Sequence, residues 1–150
     1  MQVLVDTNVI ARSAQPAHPA HTTAMLALQR LRERPIELCI ATQSMFELYV
    51  VATRPVANNG LGLQTREVLR EIERLENIFT IIPESPSTYP RWLKLMNENE
   101  ISGKSAHDGR LVATMLTNNI ETILTFNVND FSRYKQITVF NPESLVAERR

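Results

Sequence analysis

Five short runs of β-forming residues are spaced along the chain with helix-length segments between them: Gln2 to Val5, Ile36 to Ile40, Ile78 to Ile82, Thr122 to Thr125 and Ile137 to Phe140. Strands separated by helices can lie side by side and point the same way, so this alternation predicts an α/β domain around a central, mostly parallel sheet. The segments between carry helical periodicity. Thr22 to Arg34 puts Met25, Leu28 and Leu31 on one stripe, and Leu63 to Glu76 does the same with Val68, Leu69, Ile72 and Leu75. Ser87 to Asn97 packs through Trp92, Leu95 and Met96, and Lys104 to Asn118 through Leu111, Val112, Met115 and Leu116. Gln43 to Thr53 differs, being apolar nearly all round, which predicts a buried helix. It ends at Arg54-Pro55, before a loop, NNGLG, read as mobile.

A chain of 150 residues is long enough to bury one substantial core, so a single domain over residues 1–150 is expected. Sixteen basic residues balance sixteen acidic ones, so bulk charge gives no ground for inferring a nucleic-acid partner, which would need a local basic patch. The single Cys39 lies in the apolar run IELCI, where it reads as a small buried thiol with no partner for a disulfide. With no apolar run of membrane-spanning length and no signal-peptide pattern at the start, the expectation is a cytoplasmic protein without a membrane partner.

Three carboxylates sit where a soluble helix or strand would not place them for solvation alone. Asp6 follows the apolar strand in VLVDTNVI, where the plain alternative is an N-cap. Glu47 stands among Met45, Phe46, Leu48, Tyr49, Val50 and Val51 with no polar face to share, so it needs a partner, with Arg54 the simplest one. Asp108 precedes Leu111, Val112 and Met115 by three, four and seven positions and so shares their stripe. The alternative for Asp108 is a capping box with Ser105. Each of the three falls just after a strand or in the first turns of a helix, which in a parallel sheet means the carboxyl edge where ligands bind. The loop TFNVNDF after Ile123-Leu124 brings Asn127 and Asp130 to the same edge, unless they serve only as turn formers.

Clustered carboxylates repel one another unless a cation neutralises them. Oxygen-only donors with no cysteine set favour hard Mg²⁺ or Mn²⁺ over structural zinc, and His18-Pro-Ala-His21 is too short and constrained a spacing for a zinc site. Such a site suits phosphodiester hydrolysis, with metal-bound water as nucleophile.

The four blocks VLVDTNVI, SMFELYVVATRP, KSAHDGRLVATM and ILTFNVNDFSRY together resemble the PIN-domain endoribonucleases, and within them the VapC toxins of toxin–antitoxin modules. The resemblance runs from Val3 to the strand near Val139. It implies a PIN-like three-layer α/β/α domain, a Mg²⁺ or Mn²⁺ site, RNA as substrate, a cognate antitoxin and a homodimer. By motif, Asp6, Glu47 and Asp108 match the acidic metal-site positions, Asn8 the polar position beside the first acid, and Thr125 the hydroxyl of the last block. The chain departs from the pattern at Asn127, where many relatives carry a fourth acid; an amide brings no charge, and Asp130 lies three residues further on. Lys104, Arg110, Arg12 and Arg54 lie near this edge in sequence and are candidates for meeting phosphate, although the substrate-binding residues stay open.

A PIN-like fold that binds RNA or protein with weak or no catalysis is the competing reading, resting on the missing acid. An aspartyl-phosphate phosphatase or receiver domain also carries an Asp after its first strand. The phosphatase needs an acid where this chain has Asn8, and neither has a place for Glu47.

Overall fold

A computed structural model describes residues 1–148, leaving Arg149 and Arg150 of the expected domain span outside the described residues. The strands β1 (Gln2–Val5), β2 (Glu37–Ala41), β3 (Thr80–Ile82), β4 (Thr122–Leu124) and β5 (Thr138–Phe140) form one sheet in the order β3-β2-β1-β4-β5. Each pairing is parallel, with Leu4 opposite Cys39 on one side and Ile123 on the other. The helices are α1 (Thr7–Ser13), α2 (His21–Arg32), α3 (Thr42–Thr53), α4 (Thr65–Ile78), α5 (Thr88–Asn99), α6 (Ser105–Thr117), α7 (Val128–Phe131) and α8 (Pro142–Ala147).

Successive strand residues point to opposite faces. Val3, Val5, Leu38, Ile40 and Leu124 therefore pack with Val9, Leu28, Leu31, Leu48, Leu75 and Leu145 of the helices on one face. Leu4, Cys39, Ala41 and Ile123 pack with Leu95, Leu111, Val112, Met115 and Phe131 on the other. Both faces are covered, as an all-parallel sheet requires, and the result is the expected three-layer α/β/α arrangement.

Three helices lie outside the predicted segments, and several strand bounds shift by one or two residues. α1 starts at once after β1, α7 occupies part of the stretch read as a polar turn, and α8 follows β5. α8 carries a legible start: Asn141 Oδ1 accepts from Glu143 N at 3.0 Å and Pro142 takes the first helical turn. Ile78 closes α4 rather than opening β3.

The loop read as mobile is folded back on α3. After a 3-10 turn at Val56–Asn58, Leu61 N, Gly62 N and Leu63 N donate to the carbonyls of Val51, Arg54 and Ala52, each at 2.9 Å. These bonds satisfy carbonyls that a helix end leaves open. Gly60 is needed for the approach, since a Cβ there would lie 1.9 Å from the Arg54 oxygen.

On α4, Leu69 is 54% exposed while Val68 and Leu75 are buried, so its apolar stripe is narrower than the spacing predicts. Among the described residues no helix is long and apolar enough to cross a membrane. Cys39 is buried and free, and burial pushes its thiol up to about 11.

Candidate active site

The chain steps outward from β1 through β2 to β3, then crosses to the other side of β1 for β4 and β5. The carboxyl ends of β1 and β4 therefore flank the point where the strand order reverses, the usual ligand crevice of an open parallel sheet. Asp6 leaves β1 there, its N–H donating to Leu124 O at 3.0 Å, and Thr125 leaves β4 beside it.

Thr125 is fully buried and uses its whole hydrogen-bonding capacity. Its Oγ1 donates to Asp6 Oδ2 at 2.8 Å and accepts from Asn127 N at 3.0 Å and Asn8 Nδ2 at 3.3 Å. Asn8 Oδ1 accepts in turn from Phe126 N at 3.3 Å. Asp6 Oδ1 accepts from Thr7 N at 2.8 Å, so Asp6 is the N-cap of α1 as well as a buried carboxylate at the crevice. The two readings of Asp6 are compatible.

Glu47 is not buried, contrary to the expectation for its helix. α3 buries Gln43, Ser44, Leu48 and Ala52 and leaves Phe46 65% and Val50 55% exposed, with Glu47 on that open side. A helix apolar all round carries no sidedness of its own, so packing chose the face. Nor does Glu47 pair with Arg54, whose Nη2 donates to Asn59 O. Instead Glu47 Oε2 accepts from Thr7 Oγ1 at 2.8 Å and Oε1 from Gln43 Nε2 at 3.0 Å.

Neither Thr7 nor Gln43 is marked by the sequence as a partner of Glu47. Gln43 is 7% exposed, and its Nε2 also donates to His107 O at 3.0 Å, tying α3 to the first turn of α6. Its Oε1 is buried without a partner among the described residues. The available signal was an amide one helical turn before the acid on an otherwise apolar helix.

Asp108 lies half-buried in the first turn of α6. That helix begins at Lys104 with no side-chain capping bond, so the box with Ser105 does not form. Asp130, exposed on α7, faces Asp108 closely enough to raise its proton affinity. Asn127 is also exposed and precedes α7 without a side-chain capping bond.

Burial pushes Asp6 up to about 6, against the hydrogen bonds from Thr125 and Thr7, with the charges of Glu47 and Asp108 adding to the rise. Asp108 is raised by burial first, then by Asp130 and Glu47, with Arg133 and His107 opposing. Asp6, Glu47 and Asp108 thus repel one another, and Asp130 joins the group through Asp108. In donor chemistry the group fits a hard divalent cation, since a carboxylate offers about four lone-pair sites and the oxygens of Asp6 and Glu47 each accept one hydrogen bond. Among the described residues, however, no three His, Cys, Asp or Glu side chains are drawn together into a ready-made metal cage.

The candidate cations are mostly engaged. Arg110 pairs with Glu84, Arg12 Nη1 donates to Gln15 Oε1 at 2.8 Å, and Arg54 holds the loop after α3. Lys104 is exposed, and Arg133, which the sequence reading did not single out, acts on Asp108. The His18–His21 loop is internally tied: His18 Nδ1 accepts from Ala20 N and His21 Nδ1 lies 2.9 Å from Arg12 O.

The family profile described as PIN domain matches residues 3–137. No curated protein matches the sequence. Among solved structures, a chain from the Rickettsia felis VapBC2 complex bound to a promoter DNA fragment superposes with TM-score 0.72 at 16% identity, covering 94% of this chain and 98% of that one. A chain of FitAcB from Neisseria gonorrhoeae gives 0.67 at 21% identity, with 94% and 98% covered. VapC20 of Mycobacterium tuberculosis, described as a sarcin-ricin loop cleaving toxin, gives 0.59 at 16%, with 81% and 86% covered. At these identities the likeness speaks for the fold.

Proposed function

The chain belongs to the PIN-domain family, and we propose that it is a Mg²⁺- or Mn²⁺-dependent endoribonuclease hydrolysing RNA phosphodiester bonds, made as the toxin of a toxin–antitoxin pair. One observation carries this reading: Asp6, Glu47 and Asp108 repel one another at the reversal point of a parallel sheet, with Asp130 acting on Asp108. Such a group is costly unless a cation uses it.

Asp6, Glu47 and Asp108 hold the ion in this reading. When bound, a divalent ion supplies a water activated near neutral pH and neutralises charge on the phosphate. Thr125 and the Thr7 amide fix both oxygens of Asp6, while Gln43 and Thr7 Oγ1 fix both oxygens of Glu47. Asn8 holds the Thr125 hydroxyl in place. Asp130 supplies the fourth charge, and Asn127 contributes its main-chain N–H to Thr125. The test is cleavage of tRNA and structured ribosomal fragments with Mn²⁺. Identical behaviour of the protein and its Asp6→Asn variant would sink the hydrolase reading.

For the partner, the support is the exposed apolar face of α3, with Phe46 and Val50, in a chain whose fold matches members of VapBC and FitAcB complexes. Exposed apolar clusters mark protein interfaces. The reading includes a cytoplasmic protein acting as one domain over residues 1–150 and forming a homodimer. Co-expression with the product of a small neighbouring gene should suppress cleavage, and Phe46→Asp should restore cleavage in its presence; suppression that survives this change would place the partner elsewhere.

A second reading, an RNA- or protein-binding module with weak catalysis, is favoured by Asn127 and by the absence of a ready-made cage among the described residues. Binding of Mn²⁺ to the native state raises the unfolding temperature. RNA binding without any such rise would favour the module.

A further inference from the structure

Beside the acid cluster lies an open pocket of about 400 Å³ whose walls include Glu84, Tyr89, Trp92, Ala106, His107 and Arg110. We propose that it seats one unpaired nucleobase of the RNA next to the cleaved phosphate, a subsite that rests on the ribonuclease reading. Its volume is in the range of small-ligand pockets, about 300–1,000 Å³.

The aromatic wall is arranged for stacking. The rings of Tyr89 and Trp92 lie 6.2 Å apart, centroid to centroid, with 23° between their planes. Trp92 Nε1 donates to Ala106 O at 2.8 Å, so its one polar group is satisfied inside the protein and it offers a ligand only π surface. Tyr89 is 66% exposed, an aromatic left open by its own chain. Single-stranded RNA is recognised largely by stacking its bases on such rings.

The pocket shares a helical turn with the acids. Ala106 and His107 immediately precede Asp108, and the His107 carbonyl is held by the same Gln43 that holds Glu47. Arg110 stands at the rim, with Nε and Nη2 on the two oxygens of Glu84 at 2.5 and 3.0 Å, and it also feels the charge of Glu47. A base on the aromatic wall therefore meets the Arg110–Glu84 pair at the rim, on the helix whose first turn carries Asp108.

Trp92 is the only tryptophan of the chain, so its fluorescence reports on this pocket alone. Titrating the full protein in EDTA with a short single-stranded RNA, and separately with AMP, should quench Trp92. Tyr89→Ala should weaken the RNA titration about ten-fold, within the range for one base–aromatic stack. Tyr89→Phe should restore it. In turnover with Mn²⁺, Tyr89→Ala should raise KM for RNA and leave the Mn²⁺-induced rise in unfolding temperature in place. RNA cleavage with an unchanged KM in Tyr89→Ala, or RNA binding that leaves Trp92 fluorescence untouched, overturns the subsite while sparing the nuclease. Quenching that depends on Tyr89 in a protein that cuts no RNA sinks the nuclease and keeps the base pocket. If Trp92 fluorescence follows protein dilution instead of RNA, and Tyr89→Ala turns a sedimenting dimer into a monomer, the wall is a contact between two copies and the proposal fails.

Discussion

On the β1–β4 side of the crevice, Asp6, Asn8 and Thr125 bond one another and the main chain, so each carboxylate, amide and hydroxyl oxygen has a partner. On the α6–α7 side, Asp108 feels the charge of Asp130, and among the described residues neither carboxylate accepts a hydrogen bond. The first half is held by the ends of two central strands, with Asp6 and Thr125 buried; the second stands on helix turns, with Asp108 half-buried and Asp130 exposed. Asp6 and Glu47 thus have both oxygens held by hydrogen bonds, while Asp108 and Asp130 have no such restraint among the described residues. The buried half also stores the electrostatic cost, because its acid is ionised at neutral pH against its surroundings.

Asp6→Asn is the sharpest test of that asymmetry. RNA cleavage should fall by about a thousand-fold, the scale for losing a group that acts in the transition state. Stability should move the opposite way. Asp6 titrates near 6 in the folded chain, against an ordinary 3.8, so the folded state holds the proton more tightly. The cost of ionised Asp6 is therefore fully present above about pH 6 and disappears as pH falls from about 6 to about 4. In EDTA the variant should gain on the parent by at most about 3 kcal/mol as pH rises from about 4 to about 6, offset by about 1–3 kcal/mol for the hydrogen bond from Thr125 or Thr7 that an amide nitrogen cannot accept. An advantage that does not shrink in acid would refute the assignment of the cost to Asp6.

Thr125→Val should follow, with a loss of about 10- to 100-fold in activity, as for other groups that orient a metal ligand. Here stability should fall too, by about 1–3 kcal/mol, because Asn127 N, Asn8 and Asp6 all lose a buried partner. Both halves would be equally preorganised if Gln43→Leu had no effect. The expected result is a Mn²⁺ midpoint about ten-fold higher in thermal titration, since Glu47 and the α6 turn are then held separately. The smallest effects belong to the open half. Asp130→Asn should raise the Mn²⁺ requirement by about two- to five-fold through lost charge, whereas Asn127→Ala should leave it unchanged. The reverse order of these two would move the fourth position back to Asn127.

Much of this was legible in the chain because it is written over a few residues. Strand alternation sorts Val3 and Val5 to one face and Leu4 to the other, and the strand–helix rhythm places Asp6, Asp108 and Thr125 at one edge. Those arrangements need only local periodicity and the tendency of parallel strands to be joined by helices. Other features depend on distances between elements far apart in sequence. Gln43 meets His107 across 64 residues, and Arg110 is drawn to Glu84 across 26. Asp130 is presented to Asp108 because a four-residue helix forms where a turn was expected. The open side of α3 had little periodic signal, since that helix is apolar nearly all round, and its neighbours decided which residues would be covered. The sequence by itself determined the sheet, the edge and three acids pointing to it. Only the tertiary structure decided which of them is buried, which partners hold them and where the fourth charge stands, because burial and pairing energies belong to the packed elements and not to any one segment.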